Sequence, residues 1–174
     1  MRRTVLVVWF LSLLAIGGTA WWYLFAPGMV PNGQRRLGDE NDFRSAFQSG
    51  VNKTRVVAIL SPTTPADLAA AQYLQALLME YENDPLEAHI VWQPVVSTDW
   101  APTTDGMARV WDVRARHYWD KQKRIRAEAG EGQAYIYARG AALHQPAIRI
   151  TDWKSDIAKV REILGPATKE PLVR

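Results

Sequence analysis

The side chains with most chemical promise stand together in one short run, Ser61-Pro62-Thr63-Thr64-Pro65-Ala66-Asp67. Thr64 suits a helix N-cap, Pro65 suits the first helical position, and Asp67 completes a Thr-x-x-Asp capping box. A helix N-terminus presents N–H groups and a partial positive charge, which can hold a small anion. Asp67 already supplies negative charge to that turn, so the segment reads as an inert cap, with a small-anion site as its rival. Ser61 has no base evident in the sequence, and no Gly-x-Ser-x-Gly is present.

Other chemistries fail on residue type or spacing. The chain has no Cys, which excludes a disulfide framework, a thiolate zinc site, an iron–sulfur cluster and a thiol nucleophile. His89, His117 and His144 are far apart, and no pair has metal-ligand spacing. Asp99, Asp105, Asp112 and Asp120 read as a solvated polar face. The four Met do not cluster, so no soft-ligand copper site is expected. The expectation is a protein without catalytic, cofactor-binding or metal-binding residues, and not an enzyme.

The elements that position these residues follow from patterning. TRVVAIL, 54–60, is a β-branched run that reads as a buried strand. The next segment carries Leu68, Ala71, Leu74, Leu77, Leu78 and Tyr81 at helical spacing. AHIVWQPVV, 88–96, is a second strand, and strand–helix–strand makes a right-handed crossover unit. After a loop at 97–105, the spacing of Met107, Val110, Trp111, Ala115, Tyr118 and Trp119 predicts one long helix over about 104–129. QAYIYA and 145–151 are two further strands. Asp152 caps a last helix, Trp153–Leu164, stopped by Gly165-Pro166. The fold class is α/β, in the order β-α-β-α-β-β-α, over 54–165.

Before this domain lies a run of different character. Thr4 to Ala26 is 23 residues without a charge, about 35 Å as a helix and enough for a hydrocarbon core of about 30 Å. Arg2 and Arg3 precede it and place the N-terminus on the cytoplasmic side. Trp9, Trp21, Trp22 and Tyr23 belong to this anchor, the last three near its far end, where amphipathic rings prefer the headgroup layer. Gly18-Thr19-Ala20 would also serve a cleaved signal peptide, but apolar character continues for six residues beyond it, which favours a retained anchor. Residues 27–53 read as a linker with room for a short helix around Asp39–Gln48, whose Phe43 and Phe47 would dock on the domain or on a neighbour. Residues 166–174 read as a loose tail. The organisation expected is therefore anchor 1–26, linker 27–53, domain 54–165 and tail 166–174. The domain would lie outside the inner membrane of a bacterium, in the periplasm.

Charge sets the class of partner. Lys and Arg number 21 against 18 Asp and Glu, and without Arg2 and Arg3 the remainder is 19 against 18. A nucleic-acid binder concentrates its basic excess in the folded part, so no nucleic acid is expected. The eight Trp are many for this length. Three fall in the anchor. Of the others, Trp111 and Trp119 would share one face of the long helix, and Trp100 stands in a loop beside Pro102. Trp is enriched in the buried anchors of interfaces as well as in cores. The candidate partner contacts are Phe43, Phe47, Trp100, Pro102, Trp111 and Trp119.

The element order is that of thioredoxin, and the motifs agree with it in part. The chain resembles a bacterial, membrane-anchored thioredoxin-like family with Ser-Pro-Thr-Cys-Pro-x-Cys after the first strand. The matching residues are Ser61, Pro62, Thr63 and Pro65. A second match follows, at Val91, Trp92, Pro94 and Val95, and then at Thr98, Asp99 and Trp100. The resemblance implies a thioredoxin-like fold. It also implies that Thr64 and Asp67 stand where the family carries its two Cys, and that Gly132-Gln133-Ala134 stands where the fold usually has a cis-Pro. Dithiol exchange needs a thiolate, which neither residue supplies. The expected function is a non-catalytic structural or assembly subunit of a larger membrane complex. A bioenergetic complex is expected, photosynthetic reaction-centre/light-harvesting or respiratory, with other membrane subunits and the bilayer as partners. The alternatives are a periplasmic chaperone-like or redox-family client-binding protein, and a residual enzyme using Thr64 or Asp67.

Overall fold

In the computed structural model, residues 37–129 and 133–167 are described here. Their elements run α1 (Glu40–Ser49), β1 (Thr54–Leu60), α2 (Pro65–Glu80), β2 (Leu86–Trp92), α3 (Thr104–Met107), β3 (Ala115–Trp119), α4 (Arg124–Ala129), β4 (Ala134–Tyr137), β5 (Ile148–Ile150) and α5 (Trp153–Leu164). The sheet has the order β3-β2-β1-β4-β5. β1, β2 and β3 are parallel, with Leu60 opposite Trp92 and Trp92 opposite Trp119. β4 is antiparallel to both β1 and β5.

The unbroken apolar run of β1 from Val56 to Leu60 follows from its central place, with helices on both faces of the sheet. Val56, Ala58 and Leu60 point into one core with Ala71, Leu74 and Leu78 of α2 and Trp153 and Val160 of α5. Val57 and Ile59 point into the other with Phe43 and Phe47 of α1, Tyr118, Ile125 of α4, and Tyr135 and Tyr137. β1, α2 and α5 lie where the sequence pattern puts them. At α5 the Asp152 side chain accepts from the Lys154 amide at 3.2 Å, and Gly165 closes the helix at φ +75°.

The helix expected over 104–129 does not form. That stretch is the short α3, a loop, the edge strand β3 and the short α4. Its period is two, not three to four. Ala115 and Trp119 face the α2 core, while Tyr118 faces α1. Arg116 and His117 masked this alternation, because an edge strand carries polar side chains that a central one does not. Trp111 and Trp119 therefore share no helix face: Trp111 is in the loop and Trp119 in the strand.

The segment before β1 is not a mere tether. α1 packs on the sheet and buries both Phe43 and Phe47, whose rings lie 5.8 Å apart. Its N-terminus is fixed by a reciprocal capping box between Asp39 and Asp42. Gly38 bridges to β3, donating to His117 O and accepting from Trp119 N, both at 2.9 Å. Among the described residues no helix is long and apolar enough to cross a membrane. The run Thr4–Ala26, with Arg2, Arg3, Trp9, Trp21, Trp22 and Tyr23, lies outside them, as does 168–174.

Candidate functional site

The parallel strands β1, β2 and β3 end on one side of the sheet, and the turns that follow them build the site. β1 delivers the chain into Ser61, and the Ser61 amide donates to the Asp67 carboxylate at 2.9 Å. This replaces the expected capping box. Thr64 makes no side-chain cap bond, although its carbonyl accepts from the Asp67 and Leu68 amides at 3.1 Å each. Asp67 is drawn back to Ser61 because that amide, at the end of a buried strand, has no sheet partner to take it.

This arrangement answers the small-anion reading. Pro65 has no N–H, the Asp67 and Leu68 amides are bonded to Thr64 O, and Asp67 brings a carboxylate to the same turn. Little of the helix's positive end is offered to a ligand.

A chain of hydroxyls crosses from the β1 turn to the β2 loop. The Ser61 and Thr63 hydroxyl oxygens are 3.0 Å apart, and the Thr63 hydroxyl donates to Asp99 at 3.3 Å. Asp99 also accepts from the Val95 and Val96 amides, at 2.6 and 3.1 Å. The Val96 amide, the other backbone donor and the Thr63 hydroxyl hold its carboxyl below the ordinary carboxylate range. A carboxylate so stabilised is a weaker base than a free one. Burial pushes the Asp67 carboxyl up, opposed by the Ser61 amide and by the charge of Arg126.

Opposite this turn, where β4 begins, stands Gln133. Its backbone is fixed between Ile59 N and Ile150 O, both at 2.8 Å. Its side-chain amide reaches Asp67 at 3.5 Å. No cis peptide occurs among the described residues; Gly132 lies outside them.

His89 and His117 are core residues, whereas His144 is exposed in the turn before β5. The Trp92 indole N–H donates to His117 Nδ1 at 3.0 Å. Since indole is only a donor, the His117 proton sits on Nε2, which donates to Val110 O at 3.1 Å. His89 is wholly buried against Phe43, Phe47 and Tyr118, and burial drives its pKa down to about 3. Neither meets the β1 turn. Among the described residues no three His, Cys, Asp or Glu side chains gather to hold a metal ion. Asp120 is buried, not solvated. It accepts from the Arg124 and Ile125 amides that open α4 and from Gln93.

Of the candidate contact residues, Phe43, Phe47 and Pro102 are buried and Trp119 is half-buried. Trp100 is 78% exposed and Trp111 59%. Around Trp100 the structure adds Val95 and Val96, each more than half exposed. A missed signal for this rim was Val95-Val96 itself: two apolar residues between Pro94 and a polar loop were read as the end of β2, which stops at Trp92.

No protein-family model matches the chain, and no curated protein matches its sequence. Solved structures do match its shape. One is a thiol:disulfide interchange protein DsbE from Chlorobium tepidum, with a TM-score of 0.50 and 8% identity, covering 68% of this chain and 83% of that one. Another is a thioredoxin from Neisseria meningitidis, with a TM-score of 0.50 and 11% identity, covering 67% and 78%. The chain has a mixed α/β, thioredoxin-like fold.

Proposed function

We propose that this protein is a non-catalytic subunit that braces or assembles a larger membrane-protein complex. It would be held at the outer face of a bacterial inner membrane by its N-terminal apolar run. The observation that carries the reading is the occupancy of the β1–α2 turn. On the family resemblance, Thr64 and Asp67 take the places of a dithiol. Asp67 is tied to Ser61 and faces Gln133, and no thiol stands there. A scaffold whose neighbours in shape bear the names of a thiol:disulfide interchange protein and a thioredoxin has no cysteine here for thiol exchange. A bioenergetic complex, photosynthetic or respiratory, is the particular assembly we favour, on the build of one apolar run followed by one outward domain.

A second reading, a tethered chaperone-like protein that binds clients, draws on the exposed rim of Trp100, Val95 and Val96. The two differ in stoichiometry. Purification in mild detergent, followed by a native gel and mass spectrometry, should show a fixed set of partners in whole-number ratio. Mixed, substoichiometric partners would favour the client binder. The chain running alone would overturn both.

A further inference from the structure

The exposed rim has a chemical character of its own. Val95, Val96 and Trp100 project from the loop after β2, and that loop is rigidly held. Asp99 ties down the Val95 and Val96 amides and the Thr63 hydroxyl, and Pro94 and Pro102 are buried at its two ends. Lys123 lies against it, donating from Nζ to Val95 O at 3.3 Å, and Lys121 is two residues away and exposed. No carboxylate pairs with either lysine among the described residues. Asp99, the acid of the loop, is already engaged by three donors.

We infer that this loop, with Lys121 and Lys123, is a docking surface for an acidic segment of a partner protein that carries an aromatic or aliphatic side chain. The inference rests on the assembly reading and names the partner's chemistry. Three apolar side chains on a braced loop give an anchor that loses little conformational freedom on binding. Lys123 beside them, with Lys121 two residues away, sets two ammonium groups against the one loop carboxylate that feels the Lys123 charge, Asp99, and the surplus selects negative charge. An anionic bilayer fits less well. The same end of the sheet carries Asp39, Glu40 and Asp42 at the start of α1, and Asp152 at the start of α5. A flat anionic surface would meet those acids, whereas a narrow segment need touch only the rim.

The test uses the full chain in its native membrane, with benzoylphenylalanine introduced at Val96 and irradiated before solubilisation. The expected product is a single cross-link to an acidic segment of a subunit that co-purifies at fixed ratio. Its yield should fall about tenfold in the Lys121→Glu/Lys123→Glu variant and about thirtyfold in Trp100→Ala. Cross-links to lipid, to segments without acidic residues, or with a yield indifferent to charge reversal would overturn the inference. An intact complex on the native gel with no cross-link from this loop would overturn it and leave the assembly reading standing. Absence of any complex would overturn both.

Discussion

The backbone amide of Ser61 donates to the carboxylate of Asp67 at 2.9 Å, across the turn that joins β1 to α2. That bond gives Asp67 a structural task at the position where the resemblance expects a sulfur. It also fixes what substitution should do. Asp67→Ala leaves a half-buried amide without its acceptor and should cost about 1–2 kcal/mol in urea unfolding at pH 7. Asp67→Asn keeps an acceptor oxygen and should be close to neutral.

The pH dependence of Asp67 has a definite sign. Burial raises its folded pKa above the ordinary 3.8. The folded state therefore binds more protons than the unfolded state just above pH 3.8, and this group's contribution to stability declines as pH rises through that window. Asp67→Asn should remove that decline, read as the difference between variant and wild type in unfolding free energy from pH 3.5 to 7.

His89 acts in the opposite direction. Its folded pKa is pushed down to about 3 from 6.5. Its contribution is fully present above pH 6.5 and is lost as pH falls toward 3, with a slope of up to about 1.4 kcal/mol per pH unit. His89→Phe, which suits the surrounding Phe43 and Phe47 rings, should flatten the acid limb of the unfolding profile. An unchanged limb would show that His89 is not the group responsible.

Arg114 closes the far end of α2. Its guanidinium donates to the carbonyls of Leu78, Tyr81, Glu82 and Asp84 and pairs with Asp112 at 2.8 Å. Leu78 belongs to the last turn of α2, Tyr81 is its C-cap, and Glu82 and Asp84 lie in the turn beyond, where a cation is also favoured by the dipole. Arg114→Ala should cost about 2–4 kcal/mol in chemical denaturation. Arg114→Lys should recover less than half of that, because a point charge cannot span four acceptors.

The resemblance itself can be tested by restoring the sulfur. Thr64 is the N-cap of α2 and Asp67 its third residue, so the two share the first turn with the spacing of a Cys-x-x-Cys pair. The Thr64→Cys/Asp67→Cys variant should close an intramolecular disulfide on mild oxidation. Differential alkylation and mass measurement would report it, and two persistently free thiols would contradict the placement.

The elements that hold this site were legible where burial is two-sided or a cap is local. TRVVAIL read as a buried strand from its β-branched run, and the spacing of Leu74, Leu77 and Leu78 on α2 announced its packing face. β3 was not legible, because Arg116 and His117 interrupt its apolar side and the aromatic residues on either side happen to fall at helical spacing. At the site, Thr64 and Asp67 could be placed by the match of Ser61, Pro62, Thr63 and Pro65 to the family motif, and Gln133 by the element order. The Ser61–Asp67 bond could not, since a Thr-x-x-Asp pattern equally suits a capping box. Nor could the role of Asp99, whose three donors come from two turns that only the folded sheet brings together.

The central claim is that this thioredoxin-like domain works through its surface and not through the β1–α2 turn. It is tested most directly by purifying the wild type, Thr64→Ala/Asp67→Asn and Trp100→Ala side by side in mild detergent, with partner ratios measured by quantitative mass spectrometry. The account predicts an unchanged whole-number ratio for the double variant and loss of the partner for Trp100→Ala. Loss of the partner or of a measurable turnover in Thr64→Ala/Asp67→Asn, with Trp100→Ala unaffected, would contradict it.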